Sequence, residues 1–192
     1  EIWRQLSVEI GGQYVDGGFW GGDKVVARTG SWTTTLDTCI RTVDNSSTPT
    51  TYTRLRAPFV NPDGFRFAIY RKHLFSGLGR LLGLQDIEIG EPFFDEEFII
   101  KGNSDERVRA LFANPRLRES IHRQPAILLE IHDDEGWFGA DFPDGVDMLT
   151  FEAAETIEDV SRLKALFDLF GETLQQLCRI GSAYADDPGV TL

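Results

Sequence analysis

The sequence contains 192 residues with a formal net charge of −12 at pH 7, and 41% of its residues are hydrophobic while 26% are charged. This composition is typical of a globular domain and is too apolar for a disordered chain. The negative charge disfavours general binding to nucleic acids or anionic membranes, and no run of about 18 apolar residues predicts a membrane span.

The charge is distributed unevenly, because residues 1–85 carry +3 and residues 86–192 carry −15. We interpret the acidic second half as a surface that favours solubility. Cys39 and Cys178 lie far apart, and neither belongs to a Cys-x-x-Cys pair. We therefore predict two buried, reduced thiols and a cytoplasmic location, rather than a structural disulfide.

The N-terminal quarter of the chain predicts one helix followed by strands. Ile2, Leu6 and Ile10 recur every four residues and two glycines follow at once, so we predict an amphipathic helix that ends there. The next segments, QYV, KVVART and WTTTLDTCIRT, are rich in β-branched and aromatic residues and predict three strands. The polar segment 43–51 then predicts a loop.

Two alternating segments, TYTRLRAPF and FRFAIYR, predict a β-hairpin, because the intervening VNPDG supplies residues that tight turns need. Phe65 and Phe67 should then face the core. Arg54 and Arg56 share one face of the first strand, and Arg66 belongs to the second. If the paired strands direct these cations to one face, they could bind a carboxylate, a phosphate or an acidic peptide. The alternative is a solvated face that pairs with the protein's own acids.

Three consecutive carboxylates follow Phe94 in the distinctive segment GEPFFDEEFIIKGNSDERVRALF, residues 90–112. One turn of helix would place Phe94 and Phe98 on one side and leave Glu96 and Glu97 in water. From Phe98 onward the apolar residues alternate as in a strand. We therefore interpret the segment as a packing device, and not as a set of catalytic or metal-binding acids.

The rest of the chain predicts further short elements and one long helix. Segment 74–84 predicts a short helix weakened by glycines, and DIEIG predicts a strand. A helix capped by Asn103 or Ser104 follows, and Pro115 begins another. AILLEIH and DMLTFEAAE predict two more strands.

The C-terminal helix is predicted over about residues 158–180, and TIED, residues 156–159, resembles a capping box at its start. Apolar residues along this helix alternate spacings of three and four, and they form a stripe wider than a coiled-coil seam. We therefore predict that the helix packs on a sheet, with a dimeric coiled coil as the alternative.

The order of these elements groups the strands in runs, which predicts an α+β fold. We expect a mainly antiparallel sheet of six to nine strands packed against the long C-terminal helix and shorter helices. We also expect a single domain over residues 1–181, with two lobes of about 1–85 and 86–181 as the alternative. Residues 182–192 are predicted to form a flexible tail.

The segment IGEPFFDEEFIIKGNSDERVRALF, the later RLRESI and the long helix resemble a family of uncharacterised bacterial proteins of unknown function. The resemblance extends over residues 86–180. Its pattern, Phe-Asp-x-x-Phe-x-(Ile/Val)-Lys-Gly, is matched here by Phe94, Asp95, Phe98, Ile100, Lys101 and Gly102. The resemblance implies no activity. Some members hold such a region beside membrane segments, whereas this sequence predicts none.

Segments that could carry chemistry match no established motif. His73, His122 and His132 lie in three different elements without a metal-binding spacing. The acids of DFPDGVD lack the spacing of an EF-hand loop. GLGRLLG, residues 77–83, lacks the βαβ setting and the Walker Lys-Ser/Thr of a phosphate loop. We therefore predict no catalytic residue, no cofactor and no metal.

The leading hypothesis is a non-enzymatic domain that binds a partner protein or a small ligand, because many packing signals occur without a convergent reactive set. We expect no nucleic-acid binding and no membrane insertion, and either a monomer or a homodimer. One alternative is a hydrolase in which the acidic loop 133–147, including Asp141, acts with His132. Another is a homo-oligomeric module that uses spare apolar surface on the long helix.

Overall fold

The computed structural model describes residues 1–19, 21–42, 48–73, 81, 83–133 and 142–192. Nine strands of the described chain are β1 Gln13–Val15, β2 Lys24–Thr29, β3 Trp32–Thr42, β4 Pro49–Val60, β5 Phe67–Arg71, β6 Gln85–Asp86, β7 Phe98–Gly102, β8 Leu128–His132 and β9 Val146–Ala153. The helices are α1 Ile2–Glu9, α2 Pro92–Glu97, α3 Asp105–Phe112, α4 Pro115–His122 and α5 Val160–Arg179.

The strands form one antiparallel sheet in the order β1-β2-β3-β4-β9-β8-β5-β7-β6. This confirms the predicted α+β fold with an antiparallel sheet and a long C-terminal helix.

The predicted hairpin of β4 with β5 is wrong, because β4 pairs with β9 while β5 pairs with β8. The turn signal itself is real: the Asn61 side chain accepts hydrogen bonds from the backbone of Asp63 and Gly64, at 3.3 and 3.0 Å. A turn sequence does not determine which strands pair, and here β8 and β9 occupy the space between β4 and β5.

All five described helices share one hydrophobic cluster with one face of the sheet. Leu36, Leu55, Leu129 and Phe151 point from the central strands into this cluster and are fully buried. The apolar stripe of α5 packs against them, which confirms the prediction of a helix on a sheet. The stripe consists of Leu163, Leu166, Phe167, Leu169, Phe170, Leu174 and Leu177, all buried.

The predicted helix starts are confirmed for α3 and α4 but not for α5. The Ser104 hydroxyl accepts from the N–H of Arg107, and Asn114 caps the helix that begins at Pro115. In α5 the N-cap is Asp159, whose carboxylate accepts from Arg162 N–H at 3.0 Å. The predicted capping box at 156–159 is therefore wrong by three residues. Asp159, rather than Thr156, accepts a hydrogen bond from a free backbone N–H in the first turn of the helix.

The segment 90–112 packs as predicted around its aromatic residues. Phe94 and Phe98 are buried, and their ring centroids lie 4.6 Å apart. Gly102 ends β7 where the strand touches α3. A Cβ atom on Gly102 would lie 2.5 Å from Cγ2 of Val108, so glycine is needed here for close packing rather than for turn dihedrals.

Residues after α5 contact the sheet instead of extending into solvent. Ser182 and Ala183 are buried, and Tyr184 donates its N–H to the carbonyl of Val60. Asp187 accepts from the Thr33 hydroxyl at 2.5 Å. The predicted flexibility of residues 182–192 stays a prediction.

Several other predictions have mixed outcomes. β4 begins at Pro49, so the last three residues of the predicted loop over 43–51 belong to a strand. Only Asp86 of the strand predicted for DIEIG lies in a strand, the two-residue β6. Cys39 and Cys178 are free, but both are half-buried rather than fully buried. Most of segment 74–84, including most of GLGRLLG, lies outside the described residues. Among the described helices, none has the length and apolar run that a bilayer span requires.

Candidate functional site

The face of the sheet that points away from the helices carries charged side chains from four neighbouring strands. Alternation along each strand places these residues opposite the hydrophobic cluster. Most are nevertheless buried, which is unusual for charged groups unless they are paired. We call this group the charged face, and it consists of Asp37, Arg41, Arg54, Arg56, Glu130, His132 and Glu152.

Asp37 lies at the centre of the charged face and binds two arginines. Its carboxylate accepts from Nε and Nη2 of Arg54, at 2.8 and 2.7 Å, and from Nη2 of Arg56, at 2.7 Å. Asp37 and Arg54 are directly opposite each other on β3 and β4. The Asp37 and Arg56 side chains are only 8% and 5% exposed, so water screens their attraction weakly.

Two further ion pairs extend the charged face on both sides of this centre. Arg41 donates two hydrogen bonds of 2.5 Å to the carboxylate of Glu152, and its guanidinium lies over the ring of Tyr52. Nε2 of His132 lies 2.7 Å from the carboxylate of Glu130. The cations and carboxylates of this face therefore bind one another. The alternative interpretation expected such pairing on a solvated face, whereas Asp37 and Arg56 are buried.

The structure brings two of the three predicted patch arginines together and places the third elsewhere. Arg54 and Arg56 meet at Asp37, whereas Arg66 precedes β5 and pairs with Asp133 at 2.7 Å. The separation follows from the sheet order, because β9 and β8 lie between the strands that were expected to form a hairpin. Anion binding by these arginines stays a prediction.

The acids proposed for hydrolysis occupy separate environments within the described chain. His132 binds Glu130, while Asp147 accepts a hydrogen bond of 2.7 Å from the Asn61 amide. Burial raises the pKa of Asp147, and the bond from Asn61 opposes that rise. Asp141 lies outside the described residues. Over the residues that are described, no three His, Cys, Asp or Glu side chains converge as a metal site would require.

Two of the three consecutive acids, Asp95 and Glu97, have structural partners, so the prediction that Glu96 and Glu97 lie in water is wrong for Glu97. Asp95 accepts from the backbone N–H groups of Ile89 and Gly90, both at 2.9 Å. Glu97 forms an ion pair with Arg71 and lies 2.7 Å from Nδ1 of His122. Glu96 is exposed, as predicted.

Replacing Glu97 with glutamine is expected to lower the free energy of unfolding by about 1.5–3 kcal/mol at pH 7, the usual value for a hydrogen bond to a charged group. Burial tends to raise the Glu97 pKa, but hydrogen bonds from Arg71 and His122 lower it overall. A lowered pKa stabilises the fold above the ordinary glutamate pKa of 4.5, and this contribution is lost as the pH falls through the folded-state value. Urea unfolding of both proteins between pH 3 and 7 measures this difference. A gap that stays constant over this range would contradict the prediction.

A two-stranded arm projects from one end of the sheet. β2 pairs with β3 only as far as Leu36, and β9 pairs with β4 only from Thr53. Beyond these points β3 and β4 continue to pair with each other as far as Thr42 and Pro49. We call residues 38–42 and 49–52 the β3–β4 arm. Ile40 of this arm is 70% exposed, which is unusual for an isoleucine.

A pocket of about 400 Å³ lies at the base of the β3–β4 arm, and we call it the arm pocket. Its apolar part comes from the first turn of α1, where Ile2 and Trp3 pack partly against the hydrophobic cluster. The indole N–H of Trp3 donates to the carbonyl of Ile157 at 3.4 Å, which fixes the ring beside the start of α5. The complete lining is Glu1, Ile2, Trp3, Asp23, Thr38, Thr156 and Glu158.

The arm pocket has an acidic rim. Glu1, Asp23 and Glu158 contribute carboxylates, and its described lining includes no lysine or arginine. Asp23 accepts from the Tyr14 hydroxyl at 2.5 Å and from Gly17 N–H at 3.2 Å. The bond from Tyr14 is the main reason that the Asp23 pKa is lowered, so this carboxylate is charged at neutral pH. Sequence reasoning missed the pocket because four separate segments form it.

Comparison with known proteins identifies a related fold. A solved structure matches this chain with a TM-score of 0.53, and the match covers 91% of this chain and 95% of the other. That structure is the crystal structure of the mycobacterial trehalose monomycolate transport factor A, TtfA. The two sequences are 9% identical, so the likeness concerns the fold alone. No family model and no curated protein matches the sequence, and the resemblance to an uncharacterised bacterial family therefore stays a prediction.

Proposed function

We propose that this chain is a non-enzymatic binding domain that contacts a partner protein through the β3–β4 arm and the arm pocket. The observation that carries the proposal is the combination of these two features at one end of the sheet. Ile40 offers exposed apolar surface on a projecting ribbon, and the adjacent pocket offers an apolar floor with charged edges. Interfaces commonly combine an apolar centre with a polar rim in this way.

The charged face supports a binding role rather than catalysis. A reactive site needs a nucleophile, acid or base held near a substrate and able to change its protonation state. Here Asp37 and Glu152 are engaged with arginines, and His132 contacts Glu130. Networks of this kind fix strands in position, and a rigid sheet is a suitable base for a projecting arm.

The comparison with TtfA agrees with an accessory role. That protein is named as a transport factor. A fold that serves a factor in one protein is compatible with a binding role in another, although a fold by itself does not determine function.

The burial of the α5 stripe supports binding through the arm over an oligomer built on the long helix. α5 is described along its whole length, and it exposes no large apolar side chain. Its apolar stripe is already covered by the sheet and by the other helices. An interface on this helix would have to be polar, which is uncommon for permanent dimers.

A photo-crosslinking amino acid at position 40 tests the proposed binding surface in cells of the source organism. The matched control is the same amino acid at Phe93, which is 90% exposed on α2 near the opposite edge of the sheet. We expect a discrete protein adduct from position 40 and none from position 93. Ile40→Asp should also lower partner recovery about tenfold, whereas Phe93→Asp should leave it unchanged. Equal adducts from both positions, or none from either, would refute this function.

A further inference from the structure

We infer that the arm pocket receives the side chain of a lysine or arginine from an extended segment of the partner protein. This inference rests on the proposed function and adds the chemistry of the partner. Two observations support it independently of each other: the composition of the pocket lining and the position of Ile40 relative to that lining.

The lining of the arm pocket is complementary to a long cationic side chain. Glu1, Asp23 and Glu158 place three negative charges around it, and Trp3 supplies an aromatic ring. Tryptophan is the side chain that attracts cations most strongly through its ring face. Ile2 adds an apolar wall, which suits the methylene stem of a lysine or arginine.

Nearby cations of the protein are engaged outside the pocket. The Arg4 guanidinium bonds to Asp16 at 3.2 Å and lies 4.7 Å from the centre of the Tyr14 ring. The Lys24 ammonium donates to the carbonyl of Leu192.

The size and geometry of the pocket favour an organic cation over a metal ion. A volume of about 400 Å³ is near the lower end of the roughly 300–1,000 Å³ range typical of small-ligand sites. A pocket of this volume can hold one extended side chain together with a few of the water molecules that hydrate its charged end. The described carboxylates do not approach one another as ligands of a single metal ion would.

The strand geometry of the arm also predicts the spacing of the partner's residues. Thr38 lines the pocket, and Ile40 lies two residues further along β3 on the same side of the strand. Two residues of a strand span roughly 7 Å. An extended partner segment that follows the arm would therefore place its basic residue and an apolar residue two positions apart. This spacing defines a Lys/Arg-x-apolar motif.

A titration with two synthetic peptides tests the inference. The probe is acetyl-Ser-Lys-Ser-Leu-Ser-Lys-Ser-Leu-Ser-amide, and its matched partner has glutamine in place of both lysines. The readout is the NMR signal of the Trp3 indole N–H, assigned by its disappearance in Trp3→Phe. We expect the lysine peptide to shift this signal at least three times as far as the glutamine peptide. The shift should weaken in 500 mM salt, because exposed charges are screened.

A pair of charge-matched variants separates the pocket from the general acidity of the protein. Glu158→Gln removes one carboxylate of the pocket, and Glu96→Gln removes one exposed carboxylate on α2. We expect Glu158→Gln to weaken binding of the lysine peptide at least threefold and Glu96→Gln to leave it unchanged. Thermal unfolding of both variants shows whether each remains folded.

The outcomes distinguish this inference from the proposed function. Equal responses to the two peptides, equal effects of the two variants, or no shift of the Trp3 signal would each overturn the cation pocket. If these peptide tests failed but crosslinking at position 40 succeeded, the proposal of binding through the arm would remain valid. The inference that the partner inserts a lysine or arginine into the pocket would be refuted. If crosslinking failed while the lysine peptide bound at Trp3, the arm pocket would still be a site for cationic side chains. The proposal that a partner protein binds through the arm would be refuted.

Discussion

Replacing Asp37 with alanine is expected to lower the free energy of unfolding by about 3–5 kcal/mol, the usual cost of breaking a buried ion pair from one side. The Asp37 carboxylate accepts three hydrogen bonds from Arg54 and Arg56 in the middle of the sheet. Its removal takes away a negative charge and three hydrogen bonds from the guanidinium groups of Arg54 and Arg56, at a position that water reaches poorly. Urea unfolding followed by far-UV circular dichroism measures the loss.

The control for Asp37 is Asp105, which also pairs with an arginine but does so on the protein surface. Its side chain is 63% exposed and contacts Arg109 four residues later in α3. Asp105→Ala should change the stability by less than about 1 kcal/mol, because water screens such pairs. Similar losses from the two substitutions would show that the charged face does not act as a buried network.

Replacing Phe98 with alanine is also expected to cost about 3–5 kcal/mol, the range for deletion of a buried aromatic side chain. Phe98 is 2% exposed and contacts the ring of Phe94, while the guanidinium of Arg71 lies over its face. The substitution would remove both contacts and leave a cavity where β7 meets α2. The measurement is again equilibrium unfolding in urea.

Phe93 provides the matched control, because it belongs to the adjoining helix α2 and is almost fully exposed. Phe93→Ala should leave the stability within about 0.5 kcal/mol of the original protein. Comparison with Glu97→Gln then tests the interpretation of segment 90–112 as a packing device. If the loss of the carboxylate cost more than the loss of the buried ring, that interpretation would be wrong.

Features that depend on neighbouring residues in the sequence were predictable. The apolar spacing along α5 and the pairing of Phe94 with Phe98 follow from helix periodicity. The cap at Ser104 and the helix start at Pro115 follow from the local preferences of serine and proline. Each of these features involves residues within a few positions of one another. Local chemistry therefore determines them before the rest of the fold forms.

Features that depend on distant segments could not be read from the sequence. The VNPDG turn suggested that β4 pairs with β5, but the partner of β4 begins at Val146. The same error placed Arg66 beside Arg54. The arm pocket joins α1, the loop before β2, β3 and the start of α5, and none of these segments contains a motif by itself. The burial of the charged face could not be predicted either. Alternation shows which residues share a side of the sheet, but it does not show what covers that side.

The insertion of β8 and β9 between β4 and β5 constrains how the chain can be assembled during synthesis. When residues 1–71 have left the ribosome, β4 lacks the partner for its outer edge and β5 lacks both of its neighbours. Such open edges attract other chains and slow folding until distant segments arrive. Residues 1–71 therefore cannot reach their final strand pairing until the chain has been synthesised through Ala153.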